Sequence, residues 1–204
     1  MNVLLCTAYW PNLFYMYNVL NCRSCVIEQF ENFQKQSFRN RTQILSANGV
    51  LNLVIPVRHL HIKEFTKDIL IAYDQKWQHQ HWHAIVSAYR NSPYFDFFEE
   101  DIGKFYTSKF EYLLEYNLAQ LEMLHRLLQL KPRYTLSGRY MAEPEGCVDL
   151  RTNIHPKSRI KLPARFSSQY YQTFSGKFEF VPNLSILDLI FNTGLNAREY
   201  LIES

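Results

Sequence analysis

Three cations and an amide lie close together between aromatic residues early in the chain. Lys35, Arg39 and Arg41 accompany Asn40 within residues 33–41, which read FQKQSFRNR. Arg presents a planar fork that pairs with a carboxylate or phosphate, and Lys supplies a compact charge. The segment therefore fits the anionic part of a ligand, for example the diphosphate of a nucleotide sugar. A solvated charged loop is the alternative, and the spacing alone slightly favours it.

A histidine cluster could provide metal ligands or a proton-transfer group. His79 and His83 have the i, i+4 spacing of helical zinc pairs, but the Glu of an H-E-x-x-H motif is missing and no third ligand is identifiable. We therefore predict no metal site. His81 shares a helix face with Ile85 and Ala88, which predicts a partly buried ring. It is either a core histidine or an acid–base group, because imidazole titrates near neutrality.

Several motifs of nucleotide-binding and nucleophilic enzymes are absent from the sequence. It contains no G-x-G-x-x-G or Walker A loop and no G-x-S-x-G elbow. These absences argue against a dinucleotide-dependent dehydrogenase, a P-loop kinase and an α/β-hydrolase. We predict no bound cofactor. Cys22 and Cys25 form a C-x-x-C, but no second pair at zinc-ribbon spacing accompanies it, so we predict ordinary reduced thiols.

The elements that must position these residues begin with a strand, a helix and a second strand. Residues 3–7 and 25–30 have strand character, and Pro11 stands where the intervening helix would begin. Such a unit predicts a parallel pair whose carboxyl edge faces a ligand. Residues 42–47 and 50–57 read as a hairpin around Asn48-Gly49, which we expect to extend the same sheet.

The rest of the chain is predicted to be helical and then irregular. Helices are expected over 77–90, 99–107 and 110–130, the last with a broad leucine stripe. Residues 138–182 carry four prolines and are either a functional lid or an unrecognised subdomain. Ser185 resembles an N-cap, Asp188 occupies the acidic position of a capping box, and Gly194 ends that helix. A final short helix is expected near residues 196–202.

These elements predict an α/β fold in one domain covering residues 1–204. Residues 1–75 form the sheet-rich part, in which the strand–helix–strand unit and the hairpin share one mixed sheet. Residues 76–131 form the helical middle, and residues 132–204 hold the irregular segment and the C-terminal helices.

Composition limits the kinds of partner that the protein is expected to bind. The 204 residues are 47% hydrophobic and 20% charged, with a formal net charge of +3. That excess of basic residues is too small to indicate a nucleic-acid partner. No apolar run is long enough to span a membrane, and residues 1–7 lack the charged start of a signal peptide. We therefore expect a cytoplasmic protein with a small-molecule ligand.

Motifs typical of one protein family are spread in order over nearly the whole chain. The first are Tyr9-x-Pro11, Phe33-x-Lys35, Arg39-Asn40-Arg41-x-x-Ile44, Val54-Ile55-Pro56-Val57, Trp77 and the run from His81-Trp82 to Pro93-Tyr94-Phe95. The later ones are Asp149-x-Arg151, His155-Pro156-Lys157, Tyr171-x-x-Phe174 and the run from Pro182-Asn183 to Asn192-x-Gly194. These motifs resemble the WbqC-like family, named from bacterial surface-polysaccharide gene clusters. The resemblance implies a role at polysaccharide and O-antigen loci, with modification of a nucleotide-linked amino sugar as the suggested activity.

Two functions are compatible with this resemblance. The first is a transferase that acylates or aminoacylates the amino sugar, using an acyl-CoA, acyl-carrier or aminoacyl-tRNA donor. In this hypothesis His81 is the general base, and Asp188 with Asn192 orients either the substrate or the base. The basic segment contains Lys35, Arg39, Asn40 and Arg41. In this hypothesis it binds the charged part of an anionic sugar derivative or of the donor. The second function is a non-catalytic binding protein for a phosphorylated or nucleic-acid ligand, since rings beside cations suit stacking on bases.

The resemblance also supports a geometrical prediction. Packing alone rarely places Lys, Arg and Asn inside a protein, because a buried charge needs a partner. We therefore predict that six side chains converge on one polar pocket at the carboxyl ends of the parallel strands: Lys35, Asn40, Arg41, His81, Asp188 and Asn192. In that pocket Asp188 would pair with Lys35 and Arg41, which would lower its pKa. Helix capping is the alternative role for Asp188.

Overall fold

The computed structural model describes residues 1–58, 64–156, 158, 162–163, 166 and 169–202. The strands are β1 (Asn2–Leu5), β2 (Ser24–Ile27), β3 (Arg41–Ser46), β4 (Gly49–Val54), β5 (Val57–Arg58), β6 (Leu70–Ile71), β7 (Tyr134–Leu136) and β8 (Cys147–Asp149). The α-helices are α1 (Leu13–Asn21), α2 (Trp77–Tyr89), α3 (Phe95–Thr107), α4 (Leu113–Leu127), α5 (Ile186–Thr193) and α6 (Ala197–Leu201). Short 3-10 turns cover Thr66–Asp68 and Gly194–Asn196. The predicted α/β class is confirmed.

Within the described residues, four strands form a parallel sheet in the spatial order β7-β2-β1-β8. The prediction that the first two strands are parallel neighbours is therefore confirmed. Val3, Leu4 and Leu5 in β1 are all fully buried, as expected for a parallel sheet covered on both faces. From β1 the sheet grows through β2 to β7 on one side, and β8 is then added on the other. The strand order thus reverses between β1 and β8.

The hairpin is real, but the prediction that it extends this sheet is wrong. β3 and β4 pair only with each other in the described residues, because β7 and β8 occupy the places beside β2 and β1. Ser46 pairs with Gly49, so the loop begins one residue earlier than predicted, and Gly49 adopts a positive φ of 99°. The Thr42 hydroxyl anchors β3 by donating to the Trp10 carbonyl at 2.8 Å. The hairpin therefore packs over the loop that follows β1.

The helical middle is confirmed, with shifted ends. α2 and α4 lie within their predicted ranges, whereas α3 begins four residues before the predicted residue 99. Leu113, Leu121 and Leu124 on α4 are buried in the core, as its leucine stripe predicted. Among the described residues, no helix is long and apolar enough to cross a membrane.

The C-terminal part is largely irregular, as predicted, but the sequence did not indicate β7 or β8. α5 begins as expected: the Ser185 hydroxyl accepts from the Leu187 N–H at 3.3 Å. At its end Gly194 has a φ of 61°, and a Cβ there would lie 2.7 Å from the Tyr94 ring. Lys157, one residue of the resemblance motifs, lies outside the described residues.

Candidate functional site

Polar residues follow the strands at the carboxyl edge of the parallel sheet. Glu28 comes directly after β2 and is completely buried. Its carboxylate accepts three hydrogen bonds: from the Phe30 N–H at 2.8 Å, the Ser137 hydroxyl at 2.6 Å and the Met141 N–H at 2.8 Å. Because Ser137 follows β7, this carboxylate joins the ends of two strands and orders the chain that leaves the second.

A buried ion pair lies beside Glu28. Arg39 donates from Nε and Nη2 to the two carboxylate oxygens of Glu31, both at 2.7 Å, and its side chain is fully buried. Asn117 on α4 holds the segment by donating to the Arg39 carbonyl at 2.8 Å. Burial raises the pKa of the Glu31 carboxyl, and the hydrogen bonds and charge of Arg39 oppose that rise. Such two-pronged geometry fixes the guanidinium plane.

A second ion pair follows β8. Arg151 donates to both carboxylate oxygens of Asp149, from Nε at 3.0 and 3.1 Å and from Nη2 at 2.6 Å. Burial opposes ionisation of Asp149, but the hydrogen bonds and charge of Arg151 outweigh it, so the Asp149 pKa is lowered. The Arg151 guanidinium lies 5.5 Å from the Tyr140 ring centre. Asp149 is therefore an ionised acceptor, with 34% of its side chain exposed.

The two pairs belong to one network. Arg39 Nη2 lies 3.5 Å from the Arg151 carbonyl, and Arg151 Nη1 lies 3.9 Å from Glu28 Oε2. Three carboxylates and two guanidiniums thus meet at the edge. Arg39 Nη1 has no hydrogen-bond partner in the described part of the chain. Beside the network, residues 138–143 and 145 line a cavity of about 890 Å³.

His81 lies away from this network, in a buried chain of hydrogen bonds. The Tyr9 hydroxyl is 2.9 Å from His81 Nδ1 and 2.9 Å from the Tyr106 hydroxyl, which accepts from Trp10 Nε1 at 2.7 Å. The Val54 backbone near the ring slightly favours its charged form. Burial lowers the His81 pKa to about 4, so the ring is neutral at pH 7.

Asp188 forms a third polar centre, and its surroundings contradict the predicted pairing with cations. This fully buried carboxylate accepts from the Tyr170 hydroxyl at 2.6 Å, the Gln172 amide at 2.9 Å and the Tyr89 hydroxyl at 3.0 Å. Burial raises its pKa, and these donors oppose the rise. The predicted lowering was wrong because hydroxyl and amide groups, rather than Lys35 and Arg41, surround the carboxylate.

Two neighbouring residues complete the Asp188 centre. The Asn192 amide donates to the Asp188 carbonyl at 2.7 Å, and its oxygen accepts from the Thr173 hydroxyl at 3.1 Å. A capping box is ruled out, because the Ser185 N–H donates to the Gln43 carbonyl instead of to Asp188. The centre joins α2 and α5 to the chain around residues 170–173.

The residues of the predicted basic segment also lie in different environments. Lys35 is exposed, and Arg41 is half-buried at the start of β3. Neither makes an ion pair within the described ranges. Asn40 donates to the Ile55 carbonyl at 2.8 Å and anchors the hairpin. The structure therefore brings Arg39 to the sheet edge and joins Asp188 to Asn192, but it places His81 elsewhere.

Sequence reasoning missed Glu28, Glu31 and Asp149 as site residues. A usable signal was present, since an acidic residue directly follows the apolar run of β2, and Asp149 ends β8. In a parallel sheet such positions share one edge. Recognising the edge also required β7 and β8, whose three-residue runs carry little periodic signal.

The start of α1, where nucleotide-binding α/β folds hold phosphate, is occupied by the protein itself. The Leu13 N–H donates to the Leu184 carbonyl, the Phe14 N–H to Asn183 Oδ1 and the Tyr15 N–H to Asn12 Oδ1. Free N–H groups are what make a helix start an anion site. A phosphate at this edge would therefore contact side chains.

The described residues include no group of three or more His, Cys, Asp or Glu side chains arranged to hold a metal ion. His79 and His83 lie on the exposed face of α2, with ring centres 5.1 Å apart.

Comparison with known proteins gives one match. Residues 7–162 match the family described as the WbqC-like protein family. No curated protein and no solved structure matches the chain.

Proposed function

The chain belongs to the WbqC-like protein family, and we propose that it is a transferase of bacterial surface-polysaccharide (O-antigen) biosynthesis. Its acceptor is a nucleotide-linked amino sugar, which it acylates or aminoacylates. The acceptor binds at the carboxyl edge of the parallel sheet. We call the five charged residues there the edge network: Glu28, Glu31, Arg39, Asp149 and Arg151.

The observation that carries this proposal is the position of the edge network. Ligands of open α/β sheets bind beyond the carboxyl ends of the strands, where the strand order reverses. Here the reversal lies between β1 and β8, and the Asp149–Arg151 pair stands directly after β8. Residues of the resemblance motifs that are 112 positions apart, Arg39 and Arg151, meet there. Stability alone does not require three carboxylates and two guanidiniums so close together, because buried ion pairs can often be replaced by apolar residues without loss of stability.

Each member of the network has a distinct role in this proposal. Arg151 is held in a fixed plane by Asp149 and Tyr140, so the free end of its guanidinium, formed by Nη1 and the second hydrogen of Nη2, is oriented for the phosphates of the sugar nucleotide. Asp149 is ionised and partly exposed, so it accepts a hydrogen bond from the sugar amine. Glu31 and Glu28 fix Arg39 and the chain after β7, and thereby keep the edge rigid.

The reaction is aminolysis. The sugar amine attacks the carbonyl carbon of a thioester or ester donor, a C–N bond forms, and the C–S or C–O bond breaks. The amine loses one proton, and the leaving thiolate or alkoxide gains one. Because the donor arrives activated, the enzyme needs no nucleoside triphosphate, in keeping with the missing Walker A motif. Orientation of the amine supplies the rate enhancement.

A second candidate function is binding without chemistry. One observation favours it: His81 and Asp188 are buried, and His81 Nδ1 and both carboxylate oxygens of Asp188 already have hydrogen-bond partners within the protein. Neither can act as a base on a ligand at the edge without losing those bonds. In this alternative the edge network only recognises a phosphorylated ligand.

A transfer assay distinguishes the two functions. The purified protein is incubated with a UDP-linked amino sugar and either acetyl-CoA or a charged tRNA, and the products are analysed by mass spectrometry. We expect the sugar nucleotide to gain the mass of the acyl or aminoacyl group. Asp149→Asn should reduce the rate by about 100-fold, within the range for loss of an orienting contact. The matched control is Asp74→Asn, an exposed aspartate on another loop.

Sugar-nucleotide binding without any mass gain, across the donors tested, would support the binding function and reject the transferase. Absence of both binding and transfer would reject the edge site itself.

A further inference from the structure

A groove between α3 and α4 has a lining unlike the edge network. Its cavity measures about 410 Å³, within the roughly 300–1,000 Å³ typical of small-molecule sites. The floor is apolar and consists of Phe105, Phe110, Ala119 and Met123. Phe105 and Met123 are nearly buried, whereas Phe110 and Ala119 are half-buried. The floor is therefore part of the core that remains accessible from one side.

The aromatic part of this floor is rigid. The Phe105 and Phe110 rings are stacked, with centres 6.2 Å apart and planes 12° apart. Tyr116 supports both rings edge-on, at 5.7 and 5.2 Å between centres, and its hydroxyl donates to the Phe105 carbonyl at 3.2 Å. Rings fixed in this way keep the groove open, because they cannot rotate into it without breaking these contacts.

Charges of both signs surround the apolar floor. The rim carries Asp101, Lys104, Glu122 and Arg126, so its formal charge is zero. Asp101 lies 3.2 Å from Arg126 and 3.8 Å from Lys104. Exposed ion pairs of this kind contribute little to stability. The charged side chains of the rim can therefore leave these partners and contact a ligand instead.

We propose that this groove binds a free amino acid with a large apolar side chain. The ligand carboxylate contacts Arg126 and Lys104, its ammonium contacts Asp101 and Glu122, and its side chain lies on the Phe105–Phe110 floor. A nucleotide fits less well, because the two acidic side chains repel its phosphates. The inference is independent of the proposed transferase function, since it concerns other residues and another ligand.

Calorimetric titration tests the proposal with L-phenylalanine as the probe. Three analogues each remove one feature: L-phenylalaninamide lacks the carboxylate, N-acetyl-L-phenylalanine lacks the ammonium, and glycine lacks the apolar side chain. We expect saturable binding of L-phenylalanine, with about fivefold weaker affinity for either single-charge analogue. Binding of glycine should be weaker by about tenfold or more, because it buries no apolar side chain.

Variants locate the binding to the groove. Ala119→Phe fills the floor and should weaken L-phenylalanine binding by about tenfold or more. Arg126→Met removes one rim charge and should weaken it by about fivefold. Arg90→Met removes an exposed Arg outside the groove and should leave the affinity unchanged. If Ala119→Phe does not fold, Arg126→Met and Asp101→Asn decide the question.

Three results would overturn the proposal. They are absence of saturable L-phenylalanine binding, equal affinity for L-phenylalanine and all three analogues, and affinity that no groove variant changes.

Discussion

The buried neutral imidazole of His81 should make this protein sensitive to mild acid. Its ring is 6% exposed, and its pKa is lowered from 6.5 to about 4. Protonation would leave neither ring nitrogen able to accept a hydrogen bond and would place a charge between the Tyr9 and Trp77 rings. The imidazole binds this proton more tightly in the unfolded chain than in the folded protein. The contribution of neutral His81 to the free energy of unfolding is therefore complete above pH 6.5 and is lost as pH falls toward 4.

The size of the effect follows from the two pKa values. Each pKa unit corresponds to about 1.4 kcal/mol, so the full shift amounts to roughly 3 kcal/mol. About 2 kcal/mol of that should be lost by pH 5. His81→Gln is the informative variant, because its amide can still form a hydrogen bond with Tyr9 but cannot titrate.

Urea unfolding, followed by Trp fluorescence at pH 7.5 and pH 5.0, measures this loss. Wild type should lose about 2 kcal/mol more unfolding free energy than His81→Gln between the two pH values. Burial raises the pKa of Glu31 and Asp188, which acts in the opposite direction. Those groups are common to both proteins, so their effect cancels in the comparison. The exposed His79→Gln variant serves as the control. Equal losses in wild type and His81→Gln would refute the reasoning.

Three further predictions concern the edge network, the Asp188 centre and the end of α5. Glu31→Gln leaves Arg39 buried without its ionised partner and should reduce the unfolding free energy by roughly 3–5 kcal/mol. The control is Asp101→Asn, which removes an exposed ion pair and should cost less than about 1 kcal/mol. A loss as small as that for Glu31→Gln would contradict the prediction. Asp188→Asn disturbs the three hydrogen bonds to its carboxylate and should destabilise the protein by about 1–3 kcal/mol and speed proteolysis near residues 169–181; cleavage at the wild-type rate would show that the centre does not hold that segment. Gly194→Ala combines a positive φ with a Cβ 2.7 Å from the Tyr94 ring and should lower stability by about 1–3 kcal/mol; an unchanged melting temperature would mean that the ring and backbone adjust freely.

The sequence was most informative where one element carries its own periodic pattern. The β1–α1–β2 unit, the hairpin and the helices of the middle could be predicted because apolar spacing and the turn at Gly49 are local signals. Whether the hairpin joined the main sheet depended on β7 and β8, which are distant in sequence and only three residues long. Their pairing beside β2 and β1 is a tertiary outcome that no local pattern encodes.

The candidate site was harder to predict for a related reason. The basic segment included Arg39, but it did not indicate that the partner of Arg39 is Glu31, an acid that follows β2. The polarity of Asp188 and His81 suggested one shared pocket, yet each is satisfied by tyrosines from other elements. Tyr9, Tyr89 and Tyr170 are equally compatible with a core role, so their types alone do not reveal which carboxylate or imidazole they bond.

Calorimetric titration of a UDP-linked amino sugar tests the central claim, that the edge network is the ligand site. Wild-type protein should bind the sugar nucleotide saturably at one site per chain. Arg151→Met should weaken that binding by about tenfold or more, as expected for loss of a two-pronged phosphate contact. Arg90→Met, which changes an exposed Arg away from the edge, should bind as wild type does. Equal affinity in wild type and Arg151→Met, or no binding to either, would contradict the assignment.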